Sequence, residues 1–154
     1  MIYLNMQVVY IGADHRGFNL KEKLKIWLAE EGVKTTDIGN NVYDQTDDYP
    51  DFAIKLGESV SRDRSMGILI CGSGVGMVAA VNKVKGIRSG LCLSPKETYY
   101  GRNDDDMNVL CLSADLIDED SNREIVKTFL NTPFGSEERY IRRINKIKEY
   151  ENRT

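Results

Sequence analysis

The chemistry-bearing segment of this sequence is Cys71-Gly72-Ser73-Gly74-Val75-Gly76, where a thiol stands directly before a run of small residues. A thiolate is a competent base, and glycines let backbone N–H groups come close to a bound anion such as a phosphate or an enediolate. The position before a helix start is also one that lowers a thiol pKa, which is the expectation for Cys71. The same small residues would serve a tight strand-to-helix turn. Neither nucleotide motif fits: no Lys-Ser/Thr pair follows, as a Walker loop needs, and the loop follows the third apolar segment where a dinucleotide fingerprint follows the first.

Three other groups invite a role. His15 is the only histidine in the chain and adjoins Asp14, so any imidazole chemistry has one candidate, able to donate to a sugar oxygen or a phosphate. Arg139 and Arg143 are four apart, hence on one face of a helix, and their planar donors suit a phosphate; a solvated basic face would look the same. The run Asp104-Asp105-Asp106 resembles a metal lure, but adjacent carboxylates on a loop are ordinarily solvated, and no metal is assigned.

Stepping from these residues to the elements that must hold them, the apolar runs Val8 to Gly12, Val33 to Ile38, Gly67 to Cys71, Ser89 to Leu93 and Asn108 to Leu112 read as strands. The unbroken run Gly67 to Cys71 suits a central strand covered on both faces. Helical spacing recurs over Asn19 to Glu31, Asp51 to Val60, Met77 to Val84, Asn122 to Leu130 and Glu137 to Glu151, with Asn40 to Pro50 a polar loop. Alternation of this kind predicts a doubly wound, mostly parallel five-stranded α/β sheet in one domain spanning residues 1–154. Ligands of such sheets bind at the carboxyl ends of the strands where the winding reverses, and Asp14, His15, Cys71 and the glycine loop all fall at such ends.

Composition narrows the function. The chain has 154 residues, 41% hydrophobic and 29% charged, enough for one sizeable core. No apolar run approaches the roughly 20 residues that span a bilayer, and Met1 to Gln7 lack a secretory pattern, so a cytoplasmic location is expected. Three cysteines without CxxC spacing argue against a disulfide framework or a zinc site. A formal net charge of -3 gives no general reason to bind nucleic acid.

Taken in order, Ala13-Asp14-His15-Arg16-Gly17-Phe18, Asp48-Tyr49-Pro50, Gly67-Ile68-Leu69-Ile70-Cys71-Gly72-Ser73-Gly74-Val75-Gly76, Asn82-Lys83, Gly86-Ile87-Arg88 and Asn108-Val109-Leu110 resemble the type B ribose-5-phosphate isomerases and the related galactose-6-phosphate isomerase subunits. The resemblance runs from about Gln7 to Ile147. It implies an aldose–ketose isomerase of sugar phosphates with no metal or organic cofactor, working as a homodimer or dimer of dimers with sites between subunits. It implies that Cys71 carries the proton between C1 and C2, while Ser73 and the amides of Gly72, Gly74, Val75 and Gly76 stabilise the enediolate. Asp14, His15 and Tyr49 would contact sugar hydroxyls, and Arg139 and Arg143 the phosphate. The C-terminal helix, about 137–151, would pack on the site or on a partner subunit.

One region departs from the family pattern, in which His-Asn-Asp-X-Asn-Val-Leu is usual and the histidine serves ring opening. Here Asp104 and Asp105 take the histidine and asparagine positions, and Asp115 that of an arginine that works across the dimer interface. Three donors have become acceptors. Four readings follow. A ribose-5-phosphate isomerase would use Asp104, Ser73 or His15 for ring opening, and a tetrose 4-phosphate isomerase would need no ring opening. The chain could also be a hexose 6-phosphate isomerase, as the cysteine-bearing subunit of a heteromeric galactose-6-phosphate isomerase, or a non-catalytic sugar-phosphate-binding regulator.

Overall fold

The apolar runs become the strands of one parallel sheet in the computed structural model, which describes residues 8–153. The strands are β1 (Val9–Ala13), β2 (Thr35–Gly39), β3 (Met66–Cys71), β4 (Ser89–Leu91) and β5 (Val109–Ser113), in the order β2-β1-β3-β5-β4. Every pairing is parallel. Six helices connect and flank them: α1 (Phe18–Glu30), α2 (Tyr49–Asp63), α3 (Val75–Val81), α4 (Pro95–Asp105), α5 (Glu119–Asn131) and α6 (Glu138–Glu151). The expectation for Met1 to Gln7 lies outside the described residues.

Strand periodicity divides the core in two. On β3, Ile68 and Ile70 point to the face covered by α1 and α5, where Leu24, Leu28, Val126 and Phe129 meet Leu110 and Leu112 of β5. Leu69 and Cys71 point to the other face, against Leu56 and Val60 of α2 and Met77 and Val81 of α3. Both faces being covered is what makes β3 an unbroken apolar run. The chain leaves β1 for β2 on one side and then enters β3 on the other, so the winding reverses between β1 and β3. A crevice therefore opens between the carboxyl ends of those two strands.

Among the described residues, one charged side chain is wholly enclosed by this core. Lys21 of α1 is fully enclosed, its Nζ 2.5 Å from Asp37 Oδ2 of β2 and 2.9 Å from Glu22 Oε1, and Lys25 reaches Asp37 at 2.6 Å. Burial would raise the Asp37 pKa, but the hydrogen bonds from Lys21 and Lys25 prevail and hold it below the ordinary carboxylate value. The pairing makes an ammonium tolerable there and ties α1 to the sheet edge.

Two differences from the sequence reading concern α4. No helix is expected between the fourth and fifth strands, yet Pro95–Asp105 is helical. It buries only Thr98, so it lacks the apolar stripe on which the sequence reading relies. Its start is nonetheless encoded: the Ser94 side chain accepts from the Glu97 amide, Glu97 accepts from the Leu93 amide, and Pro95 fills the first turn. In consequence Asp104 and Asp105 are not loop residues; they end α4, and Asp106 caps it in the left-handed region at φ 48°. Asp106 is bound by Arg88 and Arg102 at 2.8 and 3.0 Å. Among the described residues, no helix is long and apolar enough to cross a membrane.

Candidate active site

The turn after β1 is built around Asp14. Its Oδ1 accepts the N–H groups of Arg16 and Gly17, both at 3.0 Å, an arrangement that short acidic side chains make readily. Gly17 then lies so close to β3 that a Cβ there would come within 2.3 Å of the Ile70 oxygen. That contact draws the turn against the end of β3. Burial pushes the Asp14 pKa up, and the Gly17 and Arg16 amides oppose the shift.

Beyond Asp14, His15 turns its ring toward the loop that precedes α2. Its Nδ1 is 2.7 Å from Asp47 Oδ1, and the same oxygen accepts the His15 backbone N–H at 3.0 Å. Tyr49, the first residue of α2, lays its ring across Gly76, where a Cβ would sit 2.8 Å from the ring. The floor is Cys71, the last residue of β3 and 5% exposed. Gly74 takes φ 82°, a conformation that suits glycine, and its N–H donates to Cys71 Sγ at 3.1 Å. The exposed Ser73 accepts the Val75 N–H at 3.4 Å.

The end of β5 pins this loop from behind. Ser113 Oγ, wholly buried, donates to the Gly72 carbonyl at 2.7 Å, and the Ala114 and Asp115 amides donate to the Cys71 and Gly72 carbonyls at 3.0 Å each. These bonds make β3 and β5 end as a unit, so that Cys71 cannot shift without both strands. Asp115 faces the cleft of its own chain, ion-paired with Arg16.

Together these residues form a cleft of about 510 Å³ lined by Asp14, His15, Arg16, Asp47, Tyr49, Cys71, Ser73 and Asp115 among others. The thiol departs from expectation. Burial pushes the Cys71 pKa up, Asp14 adds to the rise, and the amides of Gly74, Met77 and Ser73 only partly offset it. The short α3 therefore does not make Cys71 a ready thiolate. The Gly74 amide, expected on an enediolate, is spent on the sulfur.

The remaining expected residues stand elsewhere. Asp104 accepts from the Asn103 amide at 2.7 Å, and Asp105 borders a separate cavity of about 850 Å³ with Asn82, Lys83 and Arg88. Arg139 is bound to Glu137 at 2.8 Å and to the Tyr140 hydroxyl at 2.9 Å, and Arg143 is exposed. Both lie on α6, which packs on α4 and not on the Cys71 cleft. The cleft of one chain is thus acidic, with Asp14, Asp47, Asp48 and Asp115 around Arg16, its one basic residue among the described residues.

Sequence reasoning missed Asp47, Arg16 and Ser113. Asp47 carried a readable sign, an acid just before the Asp48-Tyr49-Pro50 motif in a polar loop, but its partner is 32 residues away. Among the described residues, no three His, Cys, Asp or Glu side chains are disposed to hold a metal ion.

This arrangement recurs in known proteins. The chain is similar to ribose-5-phosphate isomerase B from Mycoplasma genitalium, solved with bound ribulose 5-phosphate, at 40% identity and a TM-score of 0.93, covering 97% of this chain and 100% of that one. The type B ribose 5-phosphate isomerase of Trypanosoma brucei superposes with a TM-score of 0.89 at 39% identity, over 95% and 99% of the two chains. Ribose-5-phosphate isomerase B of Mycobacterium tuberculosis is 35% identical over 93% of this chain and 89% of its own length. Residues 9–147 match the family described as Ribose/Galactose Isomerase, and the chain that places Cys71 between Asp14 and the glycine loop belongs to that family.

Proposed function

We propose that the chain interconverts D-ribose 5-phosphate and D-ribulose 5-phosphate through an enediolate, with Cys71 as the base. The observation that carries this reading is the Cys71 thiol at the switch point, faced by Asp14 and His15, in a fold that matches a ribulose 5-phosphate-bound isomerase over its whole length. The Cys71 thiolate removes the proton from C2 of the open aldose and returns it to C1, while a proton passes between O2 and O1. The Gly74, Met77 and Ser73 amides stabilise the thiolate at the moment it forms. Ser73 and the backbone of Gly72 and Gly76 line the cleft where the negative oxygen develops, and Asp14, His15 and Tyr49 orient the hydroxyls.

The acidic cleft is a poor host for a dianionic phosphate on its own, and the exposed Arg139 and Arg143 of α6 are free of it. This supports a homodimer in which a second copy brings its α6 arginines, and with them Asp104 and Asp105, to the open side of the Cys71 cleft. The reaction calls for no metal or organic cofactor, and a cytoplasmic location fits its substrate. The test is turnover by the purified chain on ribose 5-phosphate, allose 6-phosphate, galactose 6-phosphate and erythrose 4-phosphate, with Cys71→Ala as control. Cysteine-dependent turnover of ribose 5-phosphate is the expected result. Inactivity on it, with turnover of another sugar, would move the enzyme elsewhere in its family.

A further inference from the structure

A polar cavity lies at the other end of the sheet from Cys71. It has a volume of about 650 Å³ and sits where β3 and β5 begin, beside Ser65, Met66 and Asn108. From there β3 runs six residues to Cys71, so at about 3.3 Å per residue the cavity is roughly 17 Å from the thiol. Four cationic side chains line it, Arg64, Arg88, Arg102 and Lys148, against one carboxylate, Asp106. Helices α2 and α4 also end there, capped by Arg64 and Asp106, and each C-terminus brings roughly half a negative charge. An excess of about two positive charges remains, on a chain whose formal net charge is -3.

The two central arginines are held in place and only partly satisfied. Asp106 is shared between Arg88 and Arg102, whose side chains are 15% and 11% exposed, so two guanidinium groups stand together in a largely enclosed place around one carboxylate. Arg88 Nε and Nη2 also donate to the Asp106 carbonyl, and Arg102 Nε and Nη1 to the Thr132 and Met107 carbonyls. Among the described residues, no hydrogen bond occupies Arg88 Nη1 or Arg102 Nη2. Arg64 and Lys148 are exposed, at the rim. Ser65 supplies an independent sign of a ligand: it lines the same cavity, is 8% exposed, and its Oγ has no hydrogen-bond partner among the described residues. A buried hydroxyl left unsatisfied is a cost that folded chains ordinarily avoid. The acceptor that suits this hydroxyl and planar guanidinium donors together is a tetrahedral oxyanion.

We propose that this cavity binds a phosphate dianion, as free phosphate or as the phosphoryl group of a phosphomonoester, at a site separate from the Cys71 cleft. Arg88 Nη1 and Arg102 Nη2 donate to its oxygens, Ser65 Oγ donates to a further one, and Arg64 and Lys148 supply charge at the exposed rim. No bond is made or broken there, and the site stands whichever sugar phosphate the Cys71 cleft takes.

The test is nuclear magnetic resonance of the isotope-labelled full chain, titrated separately with sodium phosphate, with glycerol 3-phosphate and, as a screening control, with sodium chloride at matched ionic strength. Shifts resolved by residue separate this cavity from the Cys71 cleft, whose own response to phosphate falls on the glycine loop and the α6 arginines. The expected result is a saturable shift of the Ser65, Met66 and Asn108 amides and of the Arg88 and Arg102 Nε–H groups, with a dissociation constant of about 10 mM or tighter, that chloride does not reproduce. Tighter binding of glycerol 3-phosphate would identify a phosphomonoester as the ligand, and tighter binding of phosphate the free anion. The double variant Arg64→Gln, Lys148→Gln should weaken binding at least about tenfold. Ser65→Ala should weaken it about threefold or more, yet melt no lower than the unaltered chain without phosphate, because the hydroxyl it removes has no partner to lose. A purely structural hydroxyl would show the opposite pattern, a lower melting point with phosphate binding unchanged. Shifts confined to the Cys71 cleft, shifts that chloride reproduces, or binding unchanged in both variants would overturn the proposal.

Discussion

As the proposed base, Cys71 must ionise before it can take a proton from carbon, and its surroundings set how much that costs. Burial and the Asp14 carboxylate place its pKa above the ordinary thiol value of about 8.5. At pH 7 less than about 3% of the free enzyme then carries the thiolate, and forming it costs at least about 2 kcal/mol of the barrier. The pseudo-first-order rate of Cys71 alkylation by iodoacetamide, followed by peptide mass spectrometry, should therefore climb nearly tenfold per pH unit from about 6.5 to beyond 8.5. Peptide mapping separates Cys71 from Cys92 and Cys111, which are also buried. Asp14→Asn keeps an oxygen for the Arg16 and Gly17 amides and removes the charge that opposes the thiolate. Its alkylation limb should move to lower pH, whatever it does to turnover. A rate already level at pH 7, or a limb that stays put or moves up in Asp14→Asn, would refute the argument that burial and Asp14 govern the thiol.

Two further outcomes follow from the packing. Gly17→Ala places a Cβ within 2.3 Å of the Ile70 oxygen, against backbone that cannot swing aside, and should cost about 2–3 kcal/mol, read as a lower urea midpoint with an unchanged m-value. Cys111, fully buried in β5, has its pKa pushed up to about 12 by burial, opposed by the Ser89 hydroxyl. The folded pKa lies above the unfolded one of about 8.5, so the stability it contributes is complete below pH 8.5 and lost as pH rises toward 12. The unfolding free energy should fall by up to about 1.4 kcal/mol per pH unit from this group. Cys111→Ala should flatten the decline between pH 9 and 11, and an identical slope in the variant would show that Cys111 is not its source.

The relation between the sequence and the site is instructive residue by residue. Asp14, His15, Cys71 and the glycine loop were readable as one site because each follows an apolar strand, and parallel winding forces strand ends together at a reversal. The central strands β1, β3 and β5 were readable because two-sided burial demands nearly continuous apolar runs. Helix α4 was not, because it buries a single threonine and its only sign is a capping box at Ser94. Asp47 was hidden for a different reason: a side chain's partner across 32 residues has no trace in local periodicity.

The sequence by itself therefore determined the alternation of strands and helices, the reaction class and which thiol to propose as the base, since residue type, apolar runs and turn chemistry are local properties. Tertiary structure alone decided how that chemistry is tuned. It buried Cys71 beside Asp14, so that the thiol pKa rises where the helix start suggested a fall. It paired Asp115 with Arg16 inside the chain's own cleft, and it carried Asp104, Asp105, Arg139 and Arg143 away from that cleft. It also brought Asp47 behind the only imidazole. Each of these depends on distances between groups remote in the chain, and electrostatic energy varies with distance and burial, which the order of residues does not specify.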